Sequence, residues 1–218
     1  MQQAEISSSK RQIKHKERME AYASILLLQF FRPIWKDPES YDEPELLYKF
    51  YGVSSEITNY SYDELIKYYG WAKIDTLSKN LVKRQLDTNS EDISKDILKT
   101  TSAIVFALRA NKKKLEATLR SRFSMIANSF VQSGGEYGKF LHMIEFARSN
   151  NAKISKTWIS RLDNRVRLWH RAATFQKKDL FSPFISGGER LQYPGDWSLG
   201  ASPANVINCR CVAHYRLG

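Results

Sequence analysis

The sequence predicts an α+β protein in which a predominantly helical region, residues 1–150, precedes a small mixed α/β module, residues 151–218. Two observations lead to this prediction. Apolar residues recur at helical spacing through most of the first 150 residues, as in helices that bury one face. After Asn150, short apolar runs alternate with Pro, Gly, Ser and Asn, which are typical of strands and turns.

The first helix is predicted over residues 5–31. Its first half is charged, and its second half becomes apolar toward Phe30 and Phe31. Pro33 is expected to end it, because proline lacks an N–H and clashes with the preceding turn. The charged segment 10–18 has too few apolar positions for a stable isolated helix, so it is either a docking arm or a flexible tail.

A capping motif predicts where the next long helix begins. The acidic span 37–60 is predicted to be a loop around a short helix at 46–50. Ser61 and Glu64 then match a capping box, in which each side chain bonds the other residue's backbone N–H. We therefore expect a helix from Ser61 to about Leu86.

The rest of the helical region is predicted as one long helical span and one shorter helix. Residues 88–91 resemble another helix start, and the apolar period continues from there to Phe130. The lysine run 112–114 is expected to mark a break or an exposed turn. The glycine pair 134–135 is expected to end the span, and a shorter helix follows over 137–148.

The C-terminal module is predicted to open with a strand over residues 152–160. Asp163 is expected to N-cap a short basic helix over 164–171. Residues 175–184 are predicted to be a linker, and Ser-Gly-Gly at 186–188 is expected to form a turn. No internal repeat is visible.

Both cysteines of the chain lie near its end, one residue apart. The Pro-, Gly- and Asn-rich stretch before them predicts an ordered loop, followed by a strand from about Val206. The period of a strand would place Cys209 and Cys211 on one face and Arg210 on the other. A disulfide between them would close a very small, strained ring, so reduced thiols or a metal site fit better.

The charge distribution favours a polyanionic partner. The formal net charge is +11, of which residues 151–218 carry +7. No apolar run is long enough to span a bilayer, and the N-terminus lacks the order of a secretory signal, so no membrane partner is expected. Alternatives are a solvated basic surface and non-specific DNA contact through Arg161, Arg165, Arg171, Lys177 and Lys178.

One set of residues in the C-terminal third carries a family resemblance. Its members are Trp158, Asp163, Arg167, His170, Pro194, Gly195, Asp196, Asn208, Cys209, Arg210 and Cys211. In order and spacing, this set resembles the C-terminal domain of the phage Mu F-like minor head proteins, over roughly residues 150–213.

The resemblance implies a minor capsid protein of a tailed bacteriophage. Such a protein would associate with the portal, the major capsid protein or the scaffold inside the procapsid, and would assist head assembly or the passage of DNA. It would be made in the host cytoplasm and end in the virion. The resemblance implies neither enzymatic activity nor a cofactor.

The same residues leave a structural and a metal-binding interpretation open. In the structural one, Asp163 pairs with Arg167 four residues later, and His170 packs against the cysteines. In the other, which the resemblance implies because another branch of the family has a Cys-x-x-Cys pair at the positions of Arg167 and His170, the ligands of a zinc ion are His170, Cys209 and Cys211, with Asp163 as a possible fourth. Arg167 argues against the metal, because a guanidinium repels a cation and cannot bind one. We therefore expect packed cysteines and no metal.

Two other functions are compatible with the sequence. A small nuclease or toxin-like effector could use His170 as a base, with Asp163 to orient it and Arg167 to bind phosphate. No second base or glycine-rich phosphate loop accompanies that set. The other possibility is a helical adaptor whose C-terminal part is stabilised by zinc.

Overall fold

The computed structural model describes residues 2–40, 43–69, 74–161 and 163–218, and it confirms the α+β class. The side chains up to residue 12, which include part of the predicted docking arm, lie outside the described set. The helices are α1 (Gln2–Lys36), α2 (Glu43–Tyr69), α3 (Thr76–Leu108), α4 (Lys112–Gln132), α5 (Gly138–Asn150), α6 (Leu168–Ala172) and α7 (Pro203–Val206). The strands are β1 (Ile154–Ser160), β2 (Lys177–Asp179), β3 (Phe184–Ser186), β4 (Glu189–Leu191) and β5 (Cys211–Leu217).

Helix α1 continues past Pro33, so the predicted end of this helix was wrong. The carbonyl of Pro33 still accepts a hydrogen bond from the N–H of Asp37 at 2.9 Å. Phe31, Ile34 and Trp35 on either side of the proline are almost fully buried. Burial of these large side chains outweighs the single backbone hydrogen bond that the proline removes.

The predicted helix starts at Ser61 and at 88–91 were also wrong, because both lie inside helices α2 and α3. Small hydroxyl side chains instead form a buried polar seam between these two helices. Ser54 Oγ lies 2.7 Å from Ser94 Oγ, and Ser90 Oγ donates to Thr58 Oγ1 at 2.9 Å. Hydroxyl pairs let two helices approach closely while they satisfy each other's polar groups.

Helix α3 has its N-cap at Asp75, whose carboxylate accepts from the N–H of Ser78 at 2.9 Å. It ends at Leu108, and α4 begins at Lys112, so the predicted break at 112–114 is confirmed to within a few residues. The predicted 37–60 loop was wrong, since α2 begins at Glu43.

The glycine pair at 134–135 does not end a helix, contrary to prediction. A π-helical turn, Ser133–Tyr137, joins α4 directly to α5. A Cβ at Gly134 would lie 2.2 Å from the Thr58 carbonyl oxygen on α2. The glycine is therefore needed for close helix packing, and the helical path continues through it.

The long helices pack around one core in which α1 lies against α4 and α2 lies against α3. Aromatic rings dominate its centre: Phe31 stacks on Phe123 with centroids 5.4 Å apart, and Phe50 meets Phe130 edge-on at 5.8 Å. No helix in the described ranges is long and apolar enough to cross a bilayer.

In the C-terminal module, β1 is the central strand of an antiparallel sheet with the order β2-β1-β5. The predicted strand over 152–160 is confirmed. The predicted linker 175–184 was wrong, because Lys177–Asp179 pairs with β1 as an edge strand. The predicted turn at 186–188 is confirmed: Gly187 and Gly188 have φ values of 58° and 80°, as the hairpin between β3 and β4 requires.

The last strand begins later than predicted. Pro203 starts a short helix, α7, at the position where proline is best tolerated. Asn208 then adopts a left-handed conformation with φ 53°, and β5 begins only at Cys211.

Side chains from the helical region hold the main chain of the module in place. Glu136 accepts from the N–H of Ala213 at 2.8 Å, and Lys139 donates to the Ala213 carbonyl at 3.0 Å. These two side chains also form an ion pair at 2.6 Å and are fully buried. On α1, Lys16 donates to the Cys209 carbonyl at 2.8 Å. The module is thus docked on α1 and on the π-helical turn.

Candidate functional site

A cluster of two cysteines and one histidine lies at the centre of the module. His170 comes from α6, Cys209 from the loop after α7, and Cys211 from the first position of β5. His170 Nδ1 lies 3.9 Å from Cys209 Sγ and 3.5 Å from Cys211 Sγ. All three side chains are at most 1% exposed, and both thiols are free. As predicted, the two cysteine side chains lie on the same side of the chain, where both sulfurs face His170, although β5 starts only at Cys211.

Asn205 fixes the orientation of the histidine. Its Oδ1 lies 2.7 Å from His170 Nε2, while its Nδ2 donates to the Ser186 carbonyl at 2.7 Å and to Glu189 Oε2 at 2.8 Å. Because the amide nitrogen is held by two acceptors, Oδ1 must face the imidazole, and Nε2 must carry a proton. In a neutral ring, Nδ1 then presents its lone pair to the two sulfurs.

The surroundings shift the pKa values of the two thiols in opposite directions. Burial acts against ionisation of Cys209, but hydrogen bonds from Cys211 and His170 outweigh it and hold its pKa well below the ordinary value. Burial and the neighbouring Cys209 sulfur raise the pKa of Cys211 well above the ordinary value. The pKa of His170 is raised: burial opposes this, but the hydrogen bond and charge of Cys209 prevail.

Asp163 is the centre of a second, more exposed cluster of arginines. Its carboxylate lies 2.6 Å from Arg210 Nη2 and 3.2 Å from Arg161 Nε, and it accepts from the N–H of Arg165 at 3.0 Å. Partial burial works in the opposite direction, but Arg210 keeps the pKa of the Asp163 carboxyl below its ordinary value. Arg171 donates to the Asp163 carbonyl at 2.5 Å.

The structure contradicts three roles that the sequence suggested for Asp163. It does not pair with Arg167, whose guanidinium donates to the Ile207 carbonyl at 2.5 Å. It does not cap α6, which begins at Leu168 with Arg167 in the N-cap position. It is also not grouped with the cysteines as a ligand, since Arg210 and Arg161 occupy its carboxylate.

The nuclease set of His170, Asp163 and Arg167 is not assembled in this fold. The imidazole bonds Asn205 through Nε2 and faces sulfur through Nδ1, so it does not reach the carboxylate. The Arg167 guanidinium lies at a main-chain carbonyl. The geometry gives no support to general-base chemistry by these three residues.

The turn around Pro194 packs the module onto α4. Asp196 is buried and accepts from the N–H groups of Gln192 at 2.7 Å and of Ser198 at 2.8 Å. Gly195 has φ 88°, and a Cβ there would lie 2.8 Å from Cγ of Gln132. The Gln132 amide donates to the Pro194 carbonyl. This part of the predicted motif is thus structural in its contacts.

The five cations that were predicted to bind DNA differ in how far their charged groups are exposed or already paired within the protein. Arg161 is paired with Glu17 and Asp163, and Arg171 is held by a main-chain carbonyl. Arg165 and Lys177 are exposed, and Lys178 is half-buried on β2.

Two other contributors to the site carried no signal in the sequence. Asn205 lies in the short helix α7, yet it orients His170. Lys16, more than a hundred residues away, holds the Cys209 carbonyl.

Comparisons with protein-family models, with curated proteins and with solved structures each found no match to this chain.

Proposed function

We propose that this chain is a minor capsid protein of a tailed bacteriophage, which associates with the portal or the procapsid interior and contacts packaged DNA without sequence specificity. One observation carries the proposal. Residues of the Mu F-like set that are far apart in sequence, such as Asp163 and Arg210, meet in the folded module. His170 likewise meets Cys209 and Cys211. Such contacts are expected if the set specifies one structural module.

The charge of the module supports a DNA-facing role. Residues 151–218 carry a net charge of +7. Only some of their Lys and Arg side chains are paired with Asp163 or, like Lys156, buried. Arg165 and Lys177 remain exposed. Cations on a surface attract the phosphate backbone regardless of sequence, as a protein beside packaged DNA requires.

The helical region is the part that we propose to bind capsid proteins. Large apolar side chains are exposed on two of its helices, with Leu77 at 71% and Phe106 at 70% on α3 and Tyr48 at 81% on α2. Apolar and aromatic side chains of this kind supply the anchors of protein interfaces.

The role in the phage head is tested by mass spectrometry of procapsids and virions made by the phage or prophage that encodes this sequence. We expect the protein in these particles at a low copy number that is constant relative to the portal. Its absence from both kinds of particle would contradict the proposal.

The DNA contact is tested by the fluorescence anisotropy of a duplex of arbitrary sequence in a salt series. We expect log affinity to fall linearly with log salt concentration, and the double variant Arg165→Gln, Lys177→Gln to reduce the slope by roughly 2. Lys67→Gln, which removes an 82% exposed lysine of α2, is the matched control and should leave the slope unchanged. Absence of binding even at low salt would leave only the protein-binding role.

A further inference from the structure

The geometry points to a metal site: we propose that His170 Nδ1 and the sulfurs of Cys209 and Cys211 bind a thiolate-preferring divalent ion, with zinc as the expected occupant. This inference does not depend on the proposed role in the phage head. It reverses the expectation from sequence that the cysteines pack without a metal.

The distances within the cluster fit such an ion. The three ligand atoms lie within 4.8 Å of one another, and the two distances from nitrogen to sulfur are 3.5 and 3.9 Å. A tetrahedral zinc with bonds of about 2.3 Å to sulfur and about 2.0 Å to nitrogen holds those two atoms roughly 3.5 Å apart. Only small shifts of the side chains are needed to bind the ion.

The hydrogen bonds around the imidazole are those of a metal ligand. Asn205 accepts from Nε2 at 2.7 Å, so the lone pair of Nδ1 faces the sulfurs. The amide is itself anchored to Ser186 and Glu189. Histidines that bind metals usually donate their other ring N–H to an oxygen in this way, which fixes the ring and its tautomer.

The nearby cations are compatible with the ion. Two thiolates cancel the charge of a divalent metal, so the occupied site is neutral. Arg167 directs its guanidinium to the Ile207 carbonyl, and Lys16 directs its ammonium to the Cys209 carbonyl. The objection that Arg167 repels a metal is weakened because that group is engaged at an oxygen.

The protein supplies three ligands. In the described part of the chain, this is the only group of three or more His, Cys, Asp and Glu side chains that are close enough to hold an ion together. Asp163 is held by Arg210 and cannot complete it. The fourth position would therefore be filled by a small donor such as water, as in other sites with two cysteines and one histidine.

The first test is the metal content of the full chain purified without chelators. Elemental analysis should find about one zinc per chain in the wild type. His170→Gln and Cys211→Ser should each lose most of the zinc, whereas His170→Cys should retain it because a thiolate replaces the imidazole. His142→Gln is the matched control: it removes a histidine that is equally buried, but which bonds Tyr62 in the helical region, and it should keep the zinc.

A second measurement is independent of whether the variants fold. The wild type, stripped of metal and kept reduced, is titrated with cobalt(II). We expect a thiolate-to-cobalt charge-transfer band and the intense visible bands of tetrahedral cobalt, with one equivalent bound. Wild-type protein without zinc and without these bands would overturn the proposal, and so would zinc that His170→Gln and Cys211→Ser both retain.

Discussion

Lys156 lies in the middle of β1 with no exposed surface, so its charge is a sensitive probe of the module. Its ammonium donates to the Gln192 carbonyl at 2.8 Å and to Gln192 Oε1 at 2.9 Å. The rings of Phe140 and Phe184 lie 5.0 and 5.2 Å from the nitrogen. Burial lowers its pKa from 10.5 to about 7, while the charge of Asp196 acts in the opposite direction.

This change in pKa makes the free energy of unfolding depend on pH. Because the folded-state pKa is the lower one, the unfolded chain binds more protons between about pH 7 and pH 10.5. Stability attributable to Lys156 therefore rises with pH through that window, and the cost of the buried charge is fully present below it. A gap of this size corresponds to at most about 5 kcal/mol, of which about 2 kcal/mol falls between about pH 7 and pH 9.

The measurement compares the wild type with Lys156→Met by urea denaturation, followed by tryptophan fluorescence, over that pH range. Titratable groups common to both proteins contribute equally to both curves. The free energy of unfolding of the wild type should therefore rise by about 2 kcal/mol relative to that of the variant between about pH 7 and pH 9. Lys177→Met, which removes an exposed lysine from the neighbouring strand, should give a curve parallel to that of the wild type. Parallel curves for Lys156→Met and the wild type would refute the reasoning.

Two further predictions concern the helical region and its contact with the module. Gly134→Ala should destabilise the protein by about 1–3 kcal/mol, because its Cβ would lie 2.2 Å from the Thr58 carbonyl oxygen. Gly52→Ala is the control: a Cβ there would have nothing within 4 Å, so the substitution should stabilise α2 by about 1 kcal/mol. Thermal unfolding distinguishes the two, and similar effects would contradict the packing role of Gly134. Glu136→Gln should cost about 3–5 kcal/mol, because the charge of Lys139 stays buried without its carboxylate; a midpoint in urea equal to that of the wild type would disprove this.

The division of the chain into helical and mixed parts was predictable because it depends on local patterns. Apolar residues at helical spacing, a lysine run near 112–114 and the Gly-Gly turn at 187–188 report directly on the backbone. Helix ends were less predictable. Ser61 and Glu64 match a capping box, but Ser61 lies inside α2, where it is buried against Gly134 of the π-helical turn.

The candidate site was predictable in its members and not in its connections. The family resemblance grouped His170 with Cys209 and Cys211, and the structure brings these three together. The partner of Asp163 was wrong because Arg167, four residues away, is only the nearest arginine in sequence. Arg210 reaches Asp163 through the turn before β5, and the sequence contains no pattern for such a long-range pair.

The buried pair of Glu136 and Lys139 covers part of the open edge of the three-stranded sheet. β5 is an edge strand, and the N–H and carbonyl of Ala213 point away from β1, toward these two side chains. An open edge invites another strand to pair with it, which is a common start of aggregation. Here a carboxylate and an ammonium from the helical region occupy the positions that a neighbouring strand would take. The full chain is thereby protected from strand addition at this point, and a fragment that starts at residue 151 would lose that protection.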